Sequence, residues 1–120
     1  MGFKAILKAI VEGSSGGIGG VVMGYDGIAI DEYLKDTGGL DVQILAVEYA
    51  SVLKEIKRTV GVLKTGELQE VSIISDRCTV VVRGIAEDFF LAVVLAPEGN
   101  FGKARYLMKR EAAGLREALQ

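Results

Sequence analysis

Apolar residues recur with helical spacing at Phe3, Ile6, Leu7 and Ile10, while Lys4, Lys8 and Glu12 fall on the opposite side. This spacing predicts an amphipathic helix over 3–12. Gly13-Ser14-Ser15-Gly16-Gly17 ends it, because glycine accepts the left-handed cap and serine favours loops. The run from Ile18 to Gly24 reads as a strand with Gly19 and Gly20 inside it. Glycine weakens a strand unless a backbone or helix must approach closely, so this strand is expected beneath a packed helix. Asp26-Gly27 between two apolar runs predicts a tight type I′ hairpin. Ile28 and Ile30 then alternate with Ala29 and Asp31, as in a strand nearer the sheet edge, and Lys35-Asp36-Thr37-Gly38-Gly39 reads as a loop.

A long helix follows. Asp41 is placed to cap it, with Leu40 and Leu45 as a hydrophobic staple, and it runs to about Leu63. Val42, Leu45, Tyr49, Val52, Leu53, Ile56, Val60 and Leu63 share one broad arc, extended by Ala46 and Ala50, which is expected to face a sheet. Lys57, Arg58 and Lys64 gather at its C-terminal end, where the helix dipole favours cations. Three strands are then expected: Leu68 to Ser75, Thr79 to Ile85, and Phe89 to Ala96. Their short connections make an antiparallel meander. The last is apolar at every position and so must be buried on both faces. Pro97 closes it, Asn100 caps a final helix, and Ala104, Leu107, Met108, Leu115 and Leu119 form the inner stripe.

These elements predict one domain spanning residues 1–120, an α+β fold built as a three-layer α/β/α sandwich. A five-stranded antiparallel sheet lies between the long helix and the two terminal helices. A chain of this size buries roughly two-thirds of its unfolded surface. Half of its residues are hydrophobic and only 7% are aromatic, an excess of aliphatic surface that suggests a partner covers part of it.

Several chemistries are excluded by residue type. The chain has no histidine, so it lacks the commonest general base and metal ligand, and no Ser-His-Asp or Cys-His site can form. Cys78 opens an apolar strand with no base beside it and reads as a packing thiol. The pairs Asp31-Glu32 and Glu87-Asp88 lie at loop edges without a third ligand at metal spacing. The Gly13–Gly20 stretch follows a helix and enters a strand, the reverse of a phosphate-binding loop. No catalytic activity, cofactor or metal is therefore expected. The net charge of −2 is spread along the chain without a basic block, which argues against nucleic acid. No apolar run approaches the roughly 18 residues of a membrane span. A single cysteine and an N-terminal segment without a long apolar core predict a cytoplasmic protein.

What remains is surface. Ile44, Val47, Ser51, Lys54, Glu55 and Arg58 lie outside the sheet-facing arc and make a mixed apolar and charged face. That composition suits either a partner-facing helix or a solvated face with two tolerated apolar residues. The strand with Leu68, Val71, Ile73 and Ile74 falls at the edge of the meander, where an exposed apolar strand invites aggregation. Pairing with its copy in a second subunit would remove that hazard and bring two long helices side by side.

Val21-Val22-Met23-Gly24-Tyr25-Asp26-Gly27-Ile28-Ala29-Ile30, the helix around Leu45-Ala46, Val71-Ser72-Ile73-Ile74 and Asn100-Phe101-Gly102-Lys103-Ala104-Arg105 together resemble the Roadblock/dynein light-chain family. The likeness spans about residues 5 to 118, and the order and spacing of the motifs make it specific. The resemblance implies a profilin-like topology, α-β-β-α-β-β-β-α, with strand order 2-1-5-4-3. It also implies dimerisation, with itself or another Roadblock protein, through the long helix and third strand. Members are non-catalytic scaffolds and regulators of small Ras-like GTPases, and one bacterial branch activates a polarity GTPase in gliding motility. By that precedent the dimer needs no arginine finger, since it repositions the GTPase's own loops; Arg58 is the arginine to test. The expected function is thus a homodimeric regulator or adaptor binding a small GTPase. A pure scaffold and a small-molecule sensor are the alternatives.

Overall fold

The computed structural model describes residues 2–35 and 38–120. The elements are α1 (Phe3–Gly13), β1 (Gly17–Gly24), β2 (Ala29–Leu34), α2 (Val42–Leu63), β3 (Glu70–Ile74), β4 (Thr79–Ala86), β5 (Phe89–Leu95) and α3 (Phe101–Ala118). One antiparallel sheet runs β2-β1-β5-β4-β3, the order implied by the resemblance. Part of the Lys35–Gly39 loop expectation, at Asp36 and Thr37, lies outside the described residues.

Alternation along the strands divides the interior in two. Val22, Val81, Leu91, Val93 and Leu95 point toward α1 and α3, where they meet Ile6, Leu7, Ile10, Leu107, Met108 and Leu115. Val21, Met23, Val80, Val82, Phe90, Ala92 and Val94 point the other way, toward Val42, Ala46, Ala50 and Leu53 of α2. Six consecutive residues of β5, Phe90 to Leu95, are buried, because this strand is central and covered on both faces. Gly20 is where α1 crosses β1: a Cβ there would lie 3.2 Å from Val11 Cγ2. Cys78 is buried in the α2-side cluster.

Caps fix the helix ends. Asp41 Oδ1 accepts from the Ile44 N–H at 3.0 Å, and Asn100 Oδ1 accepts from the Lys103 N–H at 3.0 Å. Lys64 ends α2 in the left-handed region, at φ 55°.

Four local expectations are corrected. The β1–β2 turn is not type I′, because Asp26 keeps a negative φ and only Gly27 is left-handed, at φ 87°. Gly27 N–H donates to the Gly24 carbonyl and Gly24 N–H to the Ile28 carbonyl, both at 2.9 Å. This is a type I turn closed by a glycine bulge, the three-residue solution to the same reversal. Second, Val22 pairs with Asp31 and Met23 with Ala29, so Ile30 is an inserted bulge residue and the simple alternation from Ile28 fails. Third, β3 begins at Glu70, and Leu68 stands outside it. Fourth, the broad arc of α2 does not face the sheet as a whole: Val42, Ala46, Ala50 and Leu53 are its buried residues. A 22-residue helix over a twisted sheet buries a narrow stripe, and small alanines in that stripe let it sit close.

Candidate interaction surface

α2 lies principally over β1, away from the β3 edge of the sheet. The α2-side face near β3 is therefore closed only in part: Val71 and Ile73 are half-buried at the margin of the α2-side cluster, as are Leu45 and Tyr49. The flank of α2 that belongs to this margin carries Leu45, Tyr49, Val52, Ile56 and Leu63. Their spacing, with Thr59 between the last two, alternates four and three residues, which is the spacing of a helix–helix seam. Val52 is 54% exposed and Leu63 66% exposed. These residues fall in the arc expected to face the sheet, because a seam and a sheet-facing stripe share the same periodicity. The signal that separates them is residue size. Alanines mark the side pressed on the sheet, and larger aliphatics mark the side left open.

The mixed face occupies a different side of α2. Val47, Ser51, Lys54, Glu55 and Arg58 join Ile44, which is 60% exposed, on that side. All but Lys54, Glu55 and Arg58 are uncharged, so apolar and charged groups meet along one helix. Val47 lies beside Gly27 of the β1–β2 turn, so this face continues toward exposed Ile28. Exposed Val62, absent from the sequence-based set, falls on the same helical face as Ile44 at the far end of α2. Glu55 and Arg58 form an ion pair at 3.2 Å, one that leaves both groups largely in solvent and contributes little to stability.

Of the edge-strand residues, Val71 and Ile73 face the α2 side, and Ile74 is 72% exposed. Leu68 is half-buried and lines a cleft of about 490 Å³ with Tyr25, Lys57, Val60, Gly84 and Arg116. Lys57 Nζ pairs with Glu87 at 3.0 Å and stands 5.5 Å from the Tyr25 ring. Burial, and secondarily the Glu87 carboxylate, push the Tyr25 phenol above its ordinary pKa. Among the described residues, no three His, Cys, Asp or Glu side chains gather as a metal site. Nor is any helix there long and apolar enough to cross a membrane.

Comparison with known proteins gives the surface its context. No family model and no curated protein matches the chain. Among solved structures it is similar to MglC from Myxococcus xanthus, with 37% identity over 98% of each chain and a TM-score of 0.71. It also superposes on a Roadblock/LC7 domain from Streptomyces avermitilis, at 17% identity over 99% of this chain and 98% of that one, TM-score 0.82. A third match is the gliding protein MglB from Thermus thermophilus, at 16% identity, 95% and 85% coverage, TM-score 0.81. The last two show the fold, and the first adds sequence identity over nearly the full length. The chain belongs to the Roadblock/LC7 family.

Proposed function

We propose that this protein is a non-catalytic, cytoplasmic, homodimeric regulator or adaptor that binds a small Ras-like GTPase and modulates its nucleotide turnover. The observation that carries the reading is that α2 exposes apolar residues on two sides. The seam of Leu45, Tyr49, Val52, Ile56 and Leu63 adjoins the half-open β3 edge and suits a second copy. A two-fold axis there would pair β3 with β3 and α2 with α2, covering both the strand edge and the aliphatic flank. The mixed face then remains outward on both subunits, and its combination of Ile44 and Val47 with Lys54, Glu55 and Arg58 is that of a polar-rimmed contact patch. Similarity to MglC, at 37% identity over 98% of each chain, supports a regulator or adaptor setting. The absence of histidine from the sequence supports a role without acid–base chemistry.

The test uses immobilised protein and a purified small Ras-like GTPase loaded with GDP or a non-hydrolysable GTP analogue. Retention in one nucleotide state is expected. The Val47→Asp, Arg58→Asp double variant alters only exposed side chains; it should keep its circular dichroism spectrum and lose binding by at least about tenfold, as expected when a contact centre is disrupted. Undiminished binding by that variant would remove this surface from the account. Capture without nucleotide preference and without an effect on turnover would favour the scaffold instead.

A further inference from the structure

On the face of the sheet away from α2, a second groove of about 590 Å³ runs between α3 and the start of β3. Glu70 of β3 points to this side, since Arg105 of α3 reaches it with Nε at 2.8 Å and Nη2 at 2.7 Å. Arg83 of β4, the register partner of Glu70, joins Tyr106 and Lys109 in lining the groove. Three cations against one carboxylate leave it with two net positive charges, in a chain whose total is −2. From Lys103 to Arg110, α3 carries four cations and no acid. Of these, Arg105 and Lys109 line the groove, joined there by Arg83 from the sheet.

Arg83 is the informative member. Its Nη2 makes one long contact to Gln69 Oε1 at 3.4 Å, while its Nε is buried without a hydrogen-bond acceptor. A buried guanidinium donor left unpaired costs free energy. Arg105, by contrast, is satisfied by Glu70, whose hydrogen bond and charge raise the pKa of its guanidinium further. Tyr106 is 57% exposed beside these cations, with Lys103 Nζ and Arg110 Cζ each 5.8 Å from its ring. The site thus offers a recessed donor, an exposed ammonium and an apolar ring side by side.

We infer that this groove docks an acidic segment of a partner protein, with an Asp or Glu carboxylate paired to the Arg83 guanidinium and Lys109 Nζ and a neighbouring side chain resting on Tyr106. Arg83 and Lys109 line a groove between α3 and β3, which a carboxylate on a flexible stem can enter and a flat bilayer surface does not fill. The chain's net charge of −2 lacks the basic excess that a phosphodiester chain would need. The groove shares no residue with the α2 faces, and of β3 it uses only Glu70, whose side chain lies on the face away from α2. Occupation of one therefore leaves the other available, and the two readings stand or fall separately.

The experiment is fluorescence anisotropy of a fluorescein-labelled oligoglutamate peptide titrated with the full-length protein, at low and physiological salt. The expected result is saturable, salt-sensitive binding that weakens by roughly tenfold in Arg83→Met and in Lys109→Glu, the loss of one charge-assisted pair. Arg77→Glu, in the β3–β4 turn, should bind as the wild type does. Removing the orphaned guanidinium should leave the melting temperature of Arg83→Met unchanged or raised. If that variant does not fold, exposed Lys109 carries the test alone. No saturable binding, or equal binding by both groove variants, overturns the inference. So does binding of inorganic phosphate or of phosphatidylglycerol vesicles through Arg83 and Lys109 when the peptide does not bind.

Discussion

Tyr25 shows how a single side chain records its surroundings. Its ring packs tilted on Phe90 with centroids 5.2 Å apart, and Lys57 Nζ stands 5.5 Å above it. Burial penalises the phenolate and Glu87 repels it, so the folded protein holds the Tyr25 proton more tightly than the unfolded chain does. The sign follows from linkage. The pKa is raised on folding, so the associated stability is fully present below the unfolded value of about 10 and is lost as pH climbs through the folded value. Tyr33 shifts the same way, through its hydrogen bond to Glu12. Spectrophotometric titration of the four tyrosines should therefore show a late alkaline phase. Tyr25→Phe should shrink that phase and leave stability at neutral pH unchanged; an unaltered late phase would contradict the burial assigned to this residue. Nothing in the sequence around Tyr25 announces this environment, which depends on Phe90, Lys57 and Glu87, all distant along the chain.

At the scale of elements, capping and periodicity carried most of the fold. Asp41 and Asn100 each accept from an N–H three residues on, the local geometry that short polar side chains favour at helix starts. Asn100→Ala should cost about 1 kcal/mol in urea unfolding; a change near zero would mean that α3 is held by packing alone. The all-apolar run of β5 likewise foretold burial on both faces. Turn type and strand length were less legible. Asp-Gly is compatible with more than one reversal, and the structure uses the type I turn with left-handed Gly27. β3 is shorter than its apolar content suggests because pairing with β4 ends where Leu68 turns into the cleft beside Tyr25. The two roles of α2 could not be separated by periodicity, since alanines and larger aliphatics count alike as apolar. Only the helix position over β1 shows that Val52 and Leu63 are left open.

The whole molecule is a sheet covered on one face by two helices and on the other by a single helix set toward β1. That asymmetry leaves the β3 end half-built, with apolar residues on the strand and along the facing helix flank. The basic groove was invisible in the sequence for a related reason: Arg83 and the α3 cations meet only when β4 and α3 pack. In the proposed assembly, a second copy completes the β3 end, the mixed face of α2 meets a GTPase, and the groove behind the sheet takes an acidic segment. The side chains chosen for substitution, Val52 and Leu63, Val47 and Arg58, and Arg83 and Lys109, each belong to one surface, so each surface is open to separate loss by mutation.

The most direct test of the central claim is sedimentation equilibrium of the wild type beside the Val52→Asp, Leu63→Asp variant. Both substituted side chains are exposed in the single chain, so the variant should fold as the wild type does while losing its partner. The wild type should be a dimer at micromolar concentration, at twice the chain mass, and the variant a folded monomer. A wild type that stays monomeric at that concentration, or a variant that remains dimeric, would contradict that claim.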